Sequence, residues 1–199
     1  CQNNEQSKTQ KIEKNGKQIA AKTGADFVDV KYILDLRDFP DRPYADKVVH
    51  DVNIILNDPD VSIVAEMMGG SHPAYDFSKA CLEAGKSVVT SNKELVATHG
   101  YDLHQLAKQN GVSYLFEASV GGGIPILRPL VNCLAANEIQ HVTGILNGTT
   151  NYILTRMIKG GISFADALKE AQAKGYAEAD PTADVEGIDA GRKICILSD

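Results

Sequence analysis

Up to about residue 120 the chain alternates short runs of β-branched and aliphatic residues with longer stretches whose apolar positions recur every three or four residues. The runs "VDVKYIL" (28–34), "VSIVAEMM" (61–68), "SVVT" (87–90) and "VSYLFEA" (112–118) read as buried strands. Between them lie two stretches with helix punctuation: "HPAYDFSKACLEAGK", with Pro73 near its start and Gly85 at its end, and "YDLHQLAKQNG", closed by Gly111. The resulting β-α-β-α-β order predicts a parallel sheet with crossover helices. After Gly123 the texture changes, and a second region is expected. There Pro125 should open an apolar helix to about Ala136, "EIQHVTGILN" (138–147) reads as a strand, and "TTNYILTRMIKGG" reads as a helix ended by two glycines. "SFADALKEAQAKG" (163–175) is an amphipathic helix with Ser163 and Asp166 in capping-box spacing. From about Ala183 a last helix begins, and Val185, Ile188, Ile194, Ile196 and Leu197 predict that much of it is buried.

Composition narrows the class of partner. A 199-residue chain that is 43% hydrophobic has enough apolar material for one large or two small domains. A formal net charge of -6 argues against affinity for a nucleic-acid backbone or an anionic membrane surface. No stretch approaches the roughly 20 apolar residues of a membrane span, and the first ten residues are polar rather than a signal sequence. The expectation is a cytoplasmic protein that handles small molecules. Cys1, Cys81, Cys133 and Cys195 stand singly, without metal-ligand spacing, and are expected to be reduced and structural. The chain opens on Cys1 rather than Met and stops within the apolar run "KICILSD", so a piece of a longer protein is expected.

Several segments admit chemistry beside a bland alternative. "VAEMMGGSHP" puts Gly69 and Gly70 between a strand and a helix start, which suits a tight turn as well as an anion cradle. "TSNKELV" puts Lys93 at the sheet's carboxyl edge, with Ser91 and Asn92 as candidate caps; Lys93 there is either a solvated cation or a partner for a ligand oxygen. Three glycines in "EASVGGGIP" serve either a hinge or a loop whose carbonyls can ligate a hard cation. "NGTTNYIL" offers N-cap threonines. In "GYAEADPTADVEGIDAGRK", Asp189 and Lys193 are four apart and share a helix face, preceded by Glu178, Asp180, Asp184 and Glu186. Such a pair is ordinarily a surface salt bridge, but on a buried helix it needs partners, and a polar substrate is one.

Taken in order, "VAEMMGG", "SNKELVA", "FEASVGGGIPI", "GILNGTTNYILT" and "GYAEADPTADVEGIDAGRK" resemble homoserine dehydrogenase over roughly residues 11 to 199. The resemblance implies an α/β fold: a partial Rossmann-like NAD(P)-binding domain over 1–124, then the start of an α+β catalytic and dimerisation domain over 125–199. It further implies NADP- or NAD-dependent interconversion of L-aspartate 4-semialdehyde and L-homoserine, in threonine, isoleucine and methionine biosynthesis, by a homodimer. By position the resemblance implies Lys193 as the catalytic lysine, Asp189 as its companion in catalysis and substrate binding, and Glu178 as a substrate ligand. Lys93 is implied in catalysis and cofactor binding, and Gly69 and Gly175 line the cofactor. Glu117, Val120, Gly122 and Ile124 match a sodium site built from backbone carbonyls.

Reduction of an aldehyde by hydride leaves negative charge on oxygen, which a protonated lysine within hydrogen-bond reach neutralises; the reverse reaction needs that lysine neutral. Acidic and basic side chains together match a substrate with an α-amino group and a carboxylate. The chain departs from the family in lacking a strand and GxGxxG turn before "KNGKQIAAKTG", a segment similar to the tail of the helix after that turn. Poor cofactor affinity and activity of the 199 residues alone are therefore expected. Around "LDLRDF", Arg37 favours a 2′-phosphate and Asp35 or Asp38 a free ribose hydroxyl, leaving NADP and NAD both open. A semialdehyde dehydrogenase working through a cysteine thioester is disfavoured because no cysteine sits in a loop with a basic partner. A binding module without catalysis would have no need of both Lys193 and Asp189.

Overall fold

The computed structural model describes residues 2–24 and 28–198. Helix α1 (Gln2–Thr23) leads to a short parallel pair, β1 (Ile33–Leu34) and β2 (Val48–Val49), and then to α2 (Val52–Leu56). The main sheet follows as β3 (Ile63–Glu66), α3 (Ala74–Glu83), β4 (Ser87–Thr90), α4 (Lys93–Gln109) and β5 (Tyr114–Leu115). Its three strands run parallel in the order β3-β4-β5, with Ile63 opposite Ser87, Glu66 opposite Thr90 and Val88 opposite Tyr114. All three carboxyl ends therefore open on one edge, where ligands bind in open α/β sheets. Leu82 of α3, Val88 of β4 and Leu95 and Leu103 of α4 are fully buried and form the core of this half. Lys86 is buried too; its ammonium donates to the carbonyls of Asp58 (2.7 Å) and Val61 (2.8 Å), pinning the turn before β3.

Beyond the sheet come α5 (Ala118–Gly121), a π-helical turn (Pro129–Cys133), α6 (Gly148–Gly160), α7 (Phe164–Ala173), α8 (Thr182–Val185) and α9 (Ile188–Ser198). Ile153, Ala167, Ala171 and Ala177 bury one another between α6 and α7. Ile196 of α9 instead joins the core of the sheet half, so α9 packs against α4 and draws the two regions together. Among the described residues no helix is long and apolar enough to cross a membrane.

The parallel sheet and its crossover helices agree with the sequence pattern, and the differences have local causes. The run 28–34 forms a ladder only over Ile33–Leu34, where Val48 and Val49 lie alongside. Helix α4 begins at Lys93, well before Tyr101, because Asn92 caps it and Gly100 is carried inside it. The expected helix from Pro125 to Ala136 is a π-helical turn: Pro129 has no N–H to give, and Leu134 N reaches back five residues to Pro129 O (3.3 Å). Residues 138–147 form no strand, since no neighbouring strand among the described residues offers a ladder. The last helix is two. Gly187, at φ 77°, separates α8 from α9 in the left-handed region that a side chain disfavours. Nor is α9 buried along its length: Ile188 and Ile194 are exposed, and Ile196 is its one buried large apolar residue.

Cys81 is buried and unpaired, and burial pushes its thiol up to about 11, as an inert structural cysteine requires. Cys133 and Cys195 are unpaired and exposed, and Cys1 lies outside the described residues.

Candidate active site

A chain of polar contacts fixes the sheet's carboxyl edge. At the end of β3 the buried Glu66 accepts from Met68 N (2.6 Å) and from the Thr90 hydroxyl (2.5 Å) at the end of β4. Thr90 Oγ1 accepts from Asn92 N (2.9 Å). Asn92 in turn caps α4 by accepting from Leu95 N (3.1 Å), and its Nδ2 donates to Gly70 O (2.7 Å). Ser91, the other candidate cap, lines the cleft instead. Both loops at this edge are thereby tied together, and Lys93 is delivered on the first turn of α4.

Helix α9 supplies the partners. Asp189, only 6% exposed, lies between two ammonium groups: Lys93 Nζ donates to its Oδ1, and Lys193 Nζ approaches its Oδ2 at 2.8 Å. Lys193 also donates to Leu146 O (2.7 Å). The Asn147 amide reaches Asp189 Oδ2 (2.9 Å) and Asp184 Oδ1 (2.6 Å). Burial alone would raise the Asp189 carboxyl, but the hydrogen bonds from Lys193, Lys93 and Asn147 outweigh it and hold it down to about 2. Beside this cluster Arg192 pairs with Glu94 at 2.9 Å, a second link between α9 and α4.

The cluster forms one wall of a cleft of about 500 Å³. Glu178 and Gly175 line it with Lys93 and Asp189, as do Tyr176, Asp180 and Asp184. Gly70, rather than Gly69, is the glycine of the β3–α3 loop that faces it. Lys193 pairs with Asp189 rather than lining the cleft itself, its side chain 14% exposed. Thus a zwitterion entering the cleft meets both carboxylates and cations within one small volume.

Glu117, Val120, Gly122 and Ile124 gather in a separate loop. The Glu117 carboxylate accepts from Ile126 N (2.5 Å), Leu127 N (2.9 Å) and Arg128 N (2.8 Å), and so caps the π-helical segment. Burial raises its pKa, but these N–H groups prevail and keep it below the ordinary value. Val120 is buried, and Gly122 turns the chain at φ 61°. At the β1 end, Arg37 Nε and Nη2 donate to Asp35 at 2.9 and 2.8 Å, while Asp38 engages His50 Nε2 at 3.0 Å.

Sequence reasoning missed Asn147, Glu94 and Arg192, and left Asp184 and Tyr176 unassigned or uncertain. In "NGTT" the cap of α6 is Asn147, which accepts from Thr150 N (2.8 Å); the Thr149 hydroxyl donates instead to Tyr176 O (2.8 Å). A cap residue was legible there, but nothing in the spacing shows that its amide also touches Asp184 and Asp189.

Residues 9–117 match the family model "Homoserine dehydrogenase, NAD binding domain", and residues 125–199 match the model "Homoserine dehydrogenase". The chain belongs to the homoserine dehydrogenase family. It is 51% identical over 148 residues to a homoserine dehydrogenase of Synechocystis sp., covering 74% of this chain and 34% of that one. A Pseudomonas aeruginosa homoserine dehydrogenase is 42% identical over 188 residues, 94% of this chain and 43% of that one. Among solved structures, S. aureus homoserine dehydrogenase at pH 8.5 superposes with a TM-score of 0.79 at 43% identity, over 96% of this chain and 45% of that one. A hyperthermophilic archaeal homoserine dehydrogenase in complex with NADPH gives 0.69 at 30% identity, over 91% and 52%. The chain thus spans between a third and about a half of the length of these relatives.

Proposed function

We propose that this chain carries the nucleotide-binding region and the reacting side chains of a homoserine dehydrogenase, interconverting L-aspartate 4-semialdehyde and L-homoserine with NADP or NAD. The observation that carries the reading is the Asp189 carboxylate held between Lys93 and Lys193 at the carboxyl edge of a parallel sheet. When bound, the nicotinamide supplies or accepts the hydride. Glycines 70 and 175 leave room for backbone to approach it, with Lys93 beside them. Lys193 serves as general acid toward the nascent alkoxide and, when neutral, as base toward homoserine. Asp189 orients both lysines and binds substrate, and Glu178 receives the substrate's α-amino group.

The chain divides at 124/125 into a dinucleotide-binding domain and a catalytic domain that pairs with a second copy. The carbonyls of Gly122 and Ile124 receive no hydrogen bond among the described residues, and such hard oxygens, with those of Glu117 and Val120, suit sodium. The enzyme works in the cytoplasm, in the branch leading to threonine, isoleucine and methionine. The test uses a protein extended to the length of its relatives, given L-homoserine with NADP⁺ or NAD⁺. Reduced cofactor should form only when homoserine is present; turnover of simple alcohols but not of homoserine would sink the assignment.

A further inference from the structure

We infer that Asn147 is the positioning residue of this site: its amide fixes the rotation of the Asp189 carboxylate so that one oxygen serves Lys93 and the other Lys193, and binds Asp184 beside it. The inference rests on the functional reading above and adds a residue to it. Asn147 is 7% exposed, and both ends of its side chain are engaged. Its Oδ1 accepts from Thr150 N (2.8 Å) and from the Thr150 hydroxyl (3.0 Å), while its Nδ2 donates to Asp184 Oδ1 (2.6 Å) and Asp189 Oδ2 (2.9 Å). That uses the two acceptor and two donor positions an asparagine amide has. The amide plane is therefore set by the first turn of α6, a 13-residue helix, and cannot rotate toward one carboxylate without giving up its cap.

The adjacent carbonyl completes the arrangement. Leu146 O holds the Lys193 ammonium, so two consecutive residues before α6 grip both members of the Asp189–Lys193 pair, Leu146 through its carbonyl and Asn147 through its side-chain amide. Capping alone does not call for this residue, since aspartate or serine would accept from Thr150 N equally well. What asparagine adds is a neutral donor between two carboxylates. The charged groups that face the pair are Lys93 from α4, Lys193 from α9 and Asp184 from α8, with Glu94 and Arg192 alongside paired to each other. A carboxylate in place of the amide would set a third anion against Asp184 and Asp189 while leaving the cap intact.

Asn147→Asp and Asn147→Ser, made in the protein extended to the length of its relatives, separate positioning from capping. Both retain an N-cap oxygen, so α6 should persist in each, with the unfolding midpoint lowered more in Asn147→Asp, where a third carboxylate is buried beside Asp184 and Asp189. Homoserine oxidation should fall roughly 10- to 100-fold in kcat in both variants through lost orientation. Only Asn147→Asp should also move the acid limb of the pH profile upward, by about one unit, because an added anion beside the pair favours the protonated form of the lysine that must be neutral to take the substrate's proton. Wild-type kcat and an unmoved acid limb in a folded Asn147→Asp would overturn the inference; if that variant does not fold, wild-type kcat in Asn147→Ser overturns it. Carbon-13 titration of Asp189 in the same proteins reads the effect without turnover, and the expected result is a higher midpoint in Asn147→Asp. A wild type inactive on homoserine would therefore defeat the functional reading, whereas an unmoved Asp189 titration would defeat this one.

Discussion

Asp189 is the residue on which three elements converge, receiving Lys93 from α4, Lys193 from its own helix and Asn147 from the start of α6. The i,i+4 pairing with Lys193 was legible from spacing, because helix geometry puts such residues on one face. The contact with Lys93, 96 residues away, was not; the order of motifs, rather than any local pattern, placed that lysine in the same site. Asp189→Asn should lower kcat roughly 100-fold by releasing both lysines from their fixed positions. It should also change the acid limb of stability. A carboxylate lowered from its ordinary 3.8 to about 2 adds stability above the ordinary value and loses it as pH falls toward 2. Urea midpoints measured across that range should decline less steeply in Asp189→Asn than in wild type; parallel curves would contradict the assignment.

At the level of elements, local chemistry recorded in the sequence set most helix ends. Pro73 and Gly85 bracket α3, Ser163 accepts from Asp166 N (3.1 Å) at the start of α7, and Asn92 caps α4. What was not legible depended on neighbours distant in sequence. Whether 138–147 joins a ladder depends on a partner strand, and whether residues 125–136 wind as an α-helix depends on how Pro129 is accommodated. The break between α8 and α9 has a local cause that could have been read, because a glycine midway through a helical pattern is also the residue that can end one. Gly187→Ala places a Cβ at φ 77° and should cost about 1 kcal/mol in unfolding free energy. Denaturant titration checks this, and an unchanged midpoint would show that α8 and α9 need no such joint.

Across the whole molecule, a parallel sheet and a helical region meet where α4 packs on α9, through a shared core at Ile196 and two ion pairs of opposite polarity, Lys93–Asp189 and Glu94–Arg192. The net negative charge pointed away from nucleic acid and membranes but said nothing about the cleft, where cations and carboxylates are interleaved. We propose that this junction places Lys193 to exchange a proton with the substrate oxygen during hydride transfer. The most direct test is Lys193→Ala in the protein extended to the length of its relatives, with kcat for homoserine oxidation and NADP⁺ affinity measured side by side. A fall in kcat of roughly 10²- to 10⁴-fold with cofactor affinity retained is the predicted result; wild-type kcat in that variant would contradict it.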